Sequence, residues 1–315
     1  MSTCTIVVPP NVNMGLPMNR IKIAALLIAL ASCVVTDDSI KNVETLKVGM
    51  STGIVQGYLS DSATDVVAWD DIPFAQPPVG DLRWRATRPL IAANQIIRSK
   101  DDTACVQKAS DYGGVSGEGI VGSEDCLYLD VKAPADFKDK NYPVMFWIHG
   151  GGNTTGLKDF YDYSRLVASR DVVVVSTNYR LGGLGWFSHP AIQDRQEGDD
   201  KSTNFGTLDI IESLKWVRTN IAKFGGNPDN VTIFGESAGG HNVYALLASP
   251  KSDGLFHKAI SQSGYTTSHS LEDAHKRDGG NQLVERGSWQ IVESINEFNA
   301  EQDDNENLSI QLRGM

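Results

Sequence analysis

The sequence predicts an α/β fold with a mostly parallel central sheet covered on both faces and an antiparallel hairpin at its N-terminal side. Three patterns agree on it. Residues 144–148 and 172–176 are near-continuous apolar runs, the mark of strands buried on both faces. Leu208, Ile211, Leu214, Val217, Ile221 and Phe224 recur every three or four positions, the period of one helix face. A short apolar run at 231–234 and a helix-like stretch at 238–247 then flank a glycine-bounded serine.

In chain order, residues 53–58 and 66–70 carry short β patterns with glycine punctuation and predict the hairpin. Residues 72–80 (IPFAQPPVG) predict a turn-rich loop, because three prolines remove donors and fix backbone angles. From residue 141 the expected order is strand, strand, helix, strand, helix, strand, the last strand covering 258–261. Beyond Gly264 the chain turns polar, apart from an amphipathic stretch at Trp289, Val292, Ile295 and Phe298 that predicts a helix and an acidic stretch at 301–307 that predicts a solvated loop.

Composition narrows the partners. The 315 residues are 41% hydrophobic and 21% charged, as in a globular protein able to bury a sizeable core. A net charge of -11 with no basic stripe excludes nucleic acid, whose binding depends on clustered Lys and Arg. The apolar run 23–35 is too short to span a bilayer and predicts a signal peptide instead, with Arg20 and Lys22 as its positive region, 23–31 as its apolar region and Met18 or Met14 as the start. Residues 30–33 (LASC) resemble a bacterial lipobox, in which Cys33 is lipidated and becomes the new N-terminus. The expected division is a signal region at 1–33 and a partial catalytic domain at 34–315, exported to a bacterial cell envelope or secreted, with a lipid anchor at Cys33.

With Cys4 lost and Cys33 lipidated, Cys105 and Cys126 remain as a pair. In an oxidising compartment the pair predicts a disulfide; a metal site would need further ligands, and no His lies between the two. No metal or cofactor is expected.

Gly235-Glu236-Ser237-Ala238-Gly239 has the G-x-S-x-G form of a nucleophile elbow in its required context between strand and helix. Such a turn is sharp, and it lifts the serine hydroxyl above the carboxyl edge of the sheet. His149-Gly150-Gly151-Gly152 follows the strand ending at Ile148, where backbone N–H groups converge without side-chain obstruction and can stabilise an oxyanion. A phosphate loop is the alternative, but the Lys and Ser/Thr it requires do not follow Gly152 at the necessary spacing.

These motifs belong to a longer set in consistent order: 72–84 (IPFAQPPVGDLRW), 124–131 (EDCLYLDV), 147–152 (WIHGGG), 178–182 (NYRLG), 224–240 (FGGNPDNVTIFGESAGG) and 256–264 (FHKAISQSG). On them the chain resembles the type-B carboxylesterase and cholinesterase-like family of α/β-hydrolase fold, across about residues 47–264. The resemblance implies a disulfide between Cys105 and Cys126, Ser237 as nucleophile, oxyanion N–H groups from Gly151, Gly152 and Ala238, and Glu236 as an ordering group beside the site. It also implies a small-molecule ester substrate hydrolysed through an acyl-enzyme. Asn153 departs from the family, which commonly has an aromatic after the glycines.

In that family the triad acid and histidine lie far downstream of the serine, so the chain is expected to be an N-terminal part lacking both, with its C-terminal strands missing and negligible activity of its own. His241, His257, His269 and His275 are not expected to serve Ser237 as base, and His149 and His189 are expected at the rim of the site. The rival expectations are a non-catalytic cholinesterase-like binding module, in which the serine is usually lost, and a fragment with no stable fold.

Overall fold

The computed structural model describes residues 46–92, 94–98, 100, 102–275 and 287–298. The expected signal region, Cys33 and the acidic stretch at 301–307 lie outside the described residues.

The N-terminal part forms two hairpins where the sequence predicts one. Strands β1 (Lys47–Met50) and β2 (Gly53–Gln56) pair with each other, while β3 (Tyr58–Ser60) pairs with β4 (Ala63–Pro73) in the main sheet. Gly57 separates them. A Cβ there would stand 2.4 Å from Trp69 Nε1, so the chain crosses the buried indole at a residue with no side chain. The Trp69 N–H donates to Leu46 O at 2.8 Å, tying the first hairpin to the sheet. The turn-rich loop also begins later than expected: Ile72 and Pro73 end β4, opposite Leu129 and Tyr128. A strand end tolerates the proline because no further ladder donor is required.

After a small ribbon of β5 (Gln107–Lys108) and β6 (Ile120–Val121) come β7 (Tyr128–Pro134), β8 (Tyr142–Ile148), β9 (Val173–Thr177), β10 (Gly226–Glu236) and β11 (Lys258–Gln262). The seven-stranded sheet runs β11-β10-β8-β9-β7-β4-β3. Its four strands from β11 to β9 are parallel, and β7, β4 and β3 continue it antiparallel. The antiparallel part is larger than the sequence suggests, because Asp130 and Lys132 interrupt the apolar pattern of β7.

Period-two alternation sorts the strand side chains onto two faces. Val144, Phe146, Val173, Val175, Val231 and Ile233 join the main core, with Ile210, Leu214 and Val217 of α2 (Phe205–Asn220) and Val243 and Leu246 of α3 (Ala238–Ala248). Met145 and Val174 point the other way, to Val66 and to Val167 of α1 (Ser164–Arg170). Seven residues are too few to show helical periodicity, which is why α1 is absent from the predicted order. Helix α2 ends in a 3-10 turn, Ile221–Phe224, followed by Gly225 at φ 78°, where a Cβ would lie 2.2 Å from Phe137 O. It is buried on more than one face, because Asp209 and Asn220 find hydrogen-bond partners in Arg180 and Ser51. Beyond β11 are α4 (Leu271–His275) and α5 (Ser288–Phe298), the latter where the amphipathic stretch predicts a helix. Strand β11 is the sheet edge among the described residues, with Ile260 45% exposed.

Candidate active site

Strands β8 and β10 are parallel neighbours in register, with Ile148 opposite Gly235. Whatever follows them leaves the same edge of the sheet side by side. After β8 comes the glycine loop; after β10 comes Ser237. A Cβ on Gly150 would lie 3.4 Å from Ser237 Cβ and 2.7 Å from Glu236 O, so residues far apart in sequence touch through the missing side chain.

The bend at Ser237 is backbone-strained. Its φ of 55° and ψ of -118° lie where L-residues are rare, and its N–H donates to Gln262 O of β11 at 2.8 Å. Glycine is required on both sides: a Cβ on Gly235 would meet Gly239 C at 2.5 Å, and one on Gly239 would meet Ile148 O at 2.1 Å. The serine carbonyl accepts the first bond of α3, from His241 N at 3.0 Å, while its hydroxyl bonds no described residue. Ala238 N–H heads the helix. Gly151 (φ 90°) and Gly152 (φ 64°) follow Gly150 in the neighbouring loop, and these three N–H groups have no acceptor among the described residues. Free donors beside a hydroxyl at a helix N-terminus favour a developing negative charge. Glu236 is exposed, with Oε2 3.1 Å from where a Gly150 Cβ would be, and accepts no hydrogen bond from a described residue.

Other residues fix the glycine loop. Gly151 O accepts from Thr154 N and Thr155 N at 3.1 and 3.0 Å. Asn153, at φ 58°, accepts from Gly182 N through its carbonyl (2.7 Å) and from Asn242 Nδ2 through Oδ1 (2.9 Å). Where an aromatic is expected, the loop therefore carries an amide tied to α3. Farther on, Lys158 is 1% exposed and bridges Asp71 of β4 and Asp130 of β7 at 3.0 and 2.9 Å. Burial works against its charge, but the attraction of these carboxylates wins and holds the ammonium protonated well above the ordinary lysine range. Sequence reasoning missed Gln107, Lys158, Tyr179 and Asn242; Tyr179 lies in the 178–182 block and Asn242 in the predicted helix at 238–247, but neither placement tells which partner the side chain meets.

Two histidines are not where the sequence suggests. His149 is only 4% exposed and lies beneath the loop, stacked on Tyr179 with ring centroids 4.3 Å apart and Nδ1 2.9 Å from Gly150 O. His189 is fully buried and caps a short helical turn by accepting from Ala191 N. Both lost the expected rim position because aromatic rings, Tyr179 for one and Phe187 and Trp289 for the other, stack them inward. The remaining four have other surroundings among the described residues. His241 bonds Tyr265 O at 2.7 Å and stacks on that ring, His257 accepts from Val231 N, His275 bonds Ser188 Oγ at 2.6 Å, and His269 is exposed.

Beside the elbow opens a cleft of about 840 Å³ whose walls include Asn153, Trp186, His241, Asn242 and Tyr265. It borders the serine without including it. Among the described residues no group of three or more His, Cys, Asp or Glu is arranged to hold a metal ion. Cys105 and Cys126 form a disulfide, with Cα atoms 4.9 Å apart.

The loop's support offers a modest test. Tyr179 is buried and donates its hydroxyl to His149 O at 2.6 Å. Tyr179→Phe strands that carbonyl and is expected to cost about 1–2 kcal/mol in urea unfolding.

The comparisons fit this geometry. The carboxylesterase family matches residues 44–308. The chain is 44% identical over 209 residues to para-nitrobenzyl esterase of Bacillus subtilis (strain 168), covering 65% of this chain and 42% of that one. To liver carboxylesterase B-1 of Rattus norvegicus it is 40% identical over 284 residues, covering 85% and 48%. A solved thermophilic PNB esterase superposes with a TM-score of 0.69 at 35% identity, covering 85% of this chain and 51% of that one. The chain thus spans about half the length, or less, of the relatives it matches. By its match over residues 44–308 and its identity to these esterases, the chain belongs to the carboxylesterase family.

Proposed function

We propose that the chain carries the nucleophile half of a serine carboxylic-ester hydrolase acting on small uncharged esters. Ser237 Oγ attacks the ester carbonyl, the N–H groups of Gly151, Gly152 and Ala238 hold the oxyanion, the alcohol leaves, and water releases the acid from the acyl-enzyme. Glu236 stands exposed beside the turn, with its carboxylate toward Gly150. The observation that carries this reading is the register of β8 with β10, which sets the glycine loop against the serine.

We further propose that this chain by itself turns over slowly. All six histidines are among the described residues, and none hydrogen-bonds Ser237 Oγ. A serine hydroxyl without a base is a poor nucleophile. Hydrolysis of p-nitrophenyl butyrate is therefore expected to be indistinguishable from that of Ser237→Ala, while prolonged exposure to a fluorophosphonate places its adduct on Ser237. An adduct on another residue, or turnover that survives Ser237→Ala, would overturn the nucleophile assignment. Fast turnover abolished by Ser237→Ala would overturn only the slow-turnover part.

Export and lipidation at Cys33 remain our proposal from Arg20, Lys22 and the apolar run before the cysteine. Mass spectrometry of the mature N-terminus from a bacterial host tests it, and an unmodified Cys33 rules the anchor out.

A further inference from the structure

We propose that Gln107 is a positioning residue for the oxyanion loop, an inference that rests on the function proposed above. Glycines have no side chains with which to hold themselves, so the conformation of Gly151 and Gly152 has to be imposed by partners. Gly156 closes their loop. It is buried, at φ 138°, and a Cβ on it would stand 2.1 Å from His149 Nδ1, so its backbone lies flat against the imidazole below the site.

Gln107 grips that backbone from both ends. Its Oε1 accepts the Gly156 N–H at 3.0 Å and its Nε2 donates to Gly156 O at 2.9 Å, the pairing a neighbouring strand would supply. The same Nε2 donates to Cys105 O at 3.0 Å, next to the disulfide. With the side chain 3% exposed, two N–H groups face two carbonyls and one oxygen faces one N–H. Turning the amide over would set like against like at all three contacts, so the network fixes its orientation. The disulfide-closed segment thus reaches 49 residues along the chain and clamps the loop that Gly150 sets against Ser237.

The obvious alternative is a buried glutamine that only stabilises the fold, and the two roles separate in amide hydrogen exchange on the full chain. Gln107→Leu is expected to speed exchange of the Thr154 and Thr155 amides, which bond Gly151 O, by about tenfold while β8 and β10 keep their protection. Gln107→Glu keeps the acceptor for Gly156 N–H but turns a carboxylate toward two carbonyls. Protonated, the same carboxyl again offers one donor and one acceptor. Loop protection in Gln107→Glu, taken as a ratio to wild type at each pH because His149 also titrates on the acid side, is therefore expected to recover as pH falls; Gln107→Leu shows no such recovery. Should Gln107→Leu fail to fold, Gln107→Glu carries the test alone, since its two protonation states share one sequence. Unchanged loop exchange, equal acceleration in β8 and β10, or no recovery in the Glu variant would each overturn the inference. None of these readouts needs ester turnover. Ser237→Ala, which leaves Gln107 in place, is expected to retain wild-type loop protection, so failure of the catalytic reading and failure of this one are told apart.

Discussion

Asp209→Ala is expected to destabilise the protein by about 3–5 kcal/mol, because it leaves a buried guanidinium unpaired. Asp209 sits on α2 with no exposed surface and accepts four hydrogen bonds: from Arg180 N (2.9 Å), Nε (2.8 Å) and NH2 (2.8 Å), and from Thr87 Oγ1 (2.6 Å). Arg180 is 3% exposed, and its remaining described contacts are the carbonyls of Arg85 and Phe205, the Thr87 hydroxyl and the Phe205 ring. None of these supplies a compensating charge. Asp209→Asn is expected to cost less than alanine but still to destabilise, since one end of the amide would face arginine donors with a donor of its own. Removing both partners, as in Arg180→Met with Asp209→Leu, is expected to cost less than the sum of the single changes. Denaturant unfolding of these variants, with Arg180→Met and Asp209→Leu also made singly, measures this, and an Asp209→Ala loss below about 1 kcal/mol would contradict it. The effect reaches the site, because Gly182, two residues past Arg180, donates to Asn153 O.

A second large effect depends on pH. Burial pushes the His149 imidazole down from an ordinary 6.5 to about 4, against the smaller opposing pull of its contact with the Gly150 carbonyl. Between these two values the unfolded chain binds a proton that the folded protein refuses. Stability is therefore unaffected by this group above the unfolded value and falls as pH drops from 6.5 toward 4, by roughly 3 kcal/mol in all. His149→Gln removes the titration, so its unfolding free energy is expected to run flatter than wild type across that window whatever its absolute stability. Parallel curves for the two proteins would show that His149 is not the group concerned. Because the ring lies against Gly150 and Gly156, protonation acts directly beneath the glycine loop.

The sequence made the chemistry legible where the chemistry is local. A serine between a strand and a helix, with glycine on each side, can only be a sharp bend; the structure shows the reason in the clash a Cβ at Gly239 would make with Ile148 O. The glycine triplet after the strand ending at Ile148 was readable in the same way, as were α2, α3, β10 and β11. Periodicity reports how a residue is buried, and over four or more turns it does so reliably. It failed on α1, which is two turns long, and on β7, where Asp130 breaks the apolar pattern because Lys158 neutralises it from another part of the chain.

What periodicity cannot report is the partner. Ile54 and Ala68 carry similar strand patterns, yet the first pairs within its own hairpin and the second joins the main sheet, a choice made by the packing of Trp69 over Gly57. His149 reads as a loop histidine until Tyr179 is stacked on it, and Gln107 as an ordinary polar residue until Gly156 arrives from 49 positions away. Short-range sterics and burial period are written in the order of residues, so the sequence by itself determined the strands, the bend and the glycine loop. Which buried polar groups satisfy one another depends on how separate elements dock, and that was decided only by the tertiary structure.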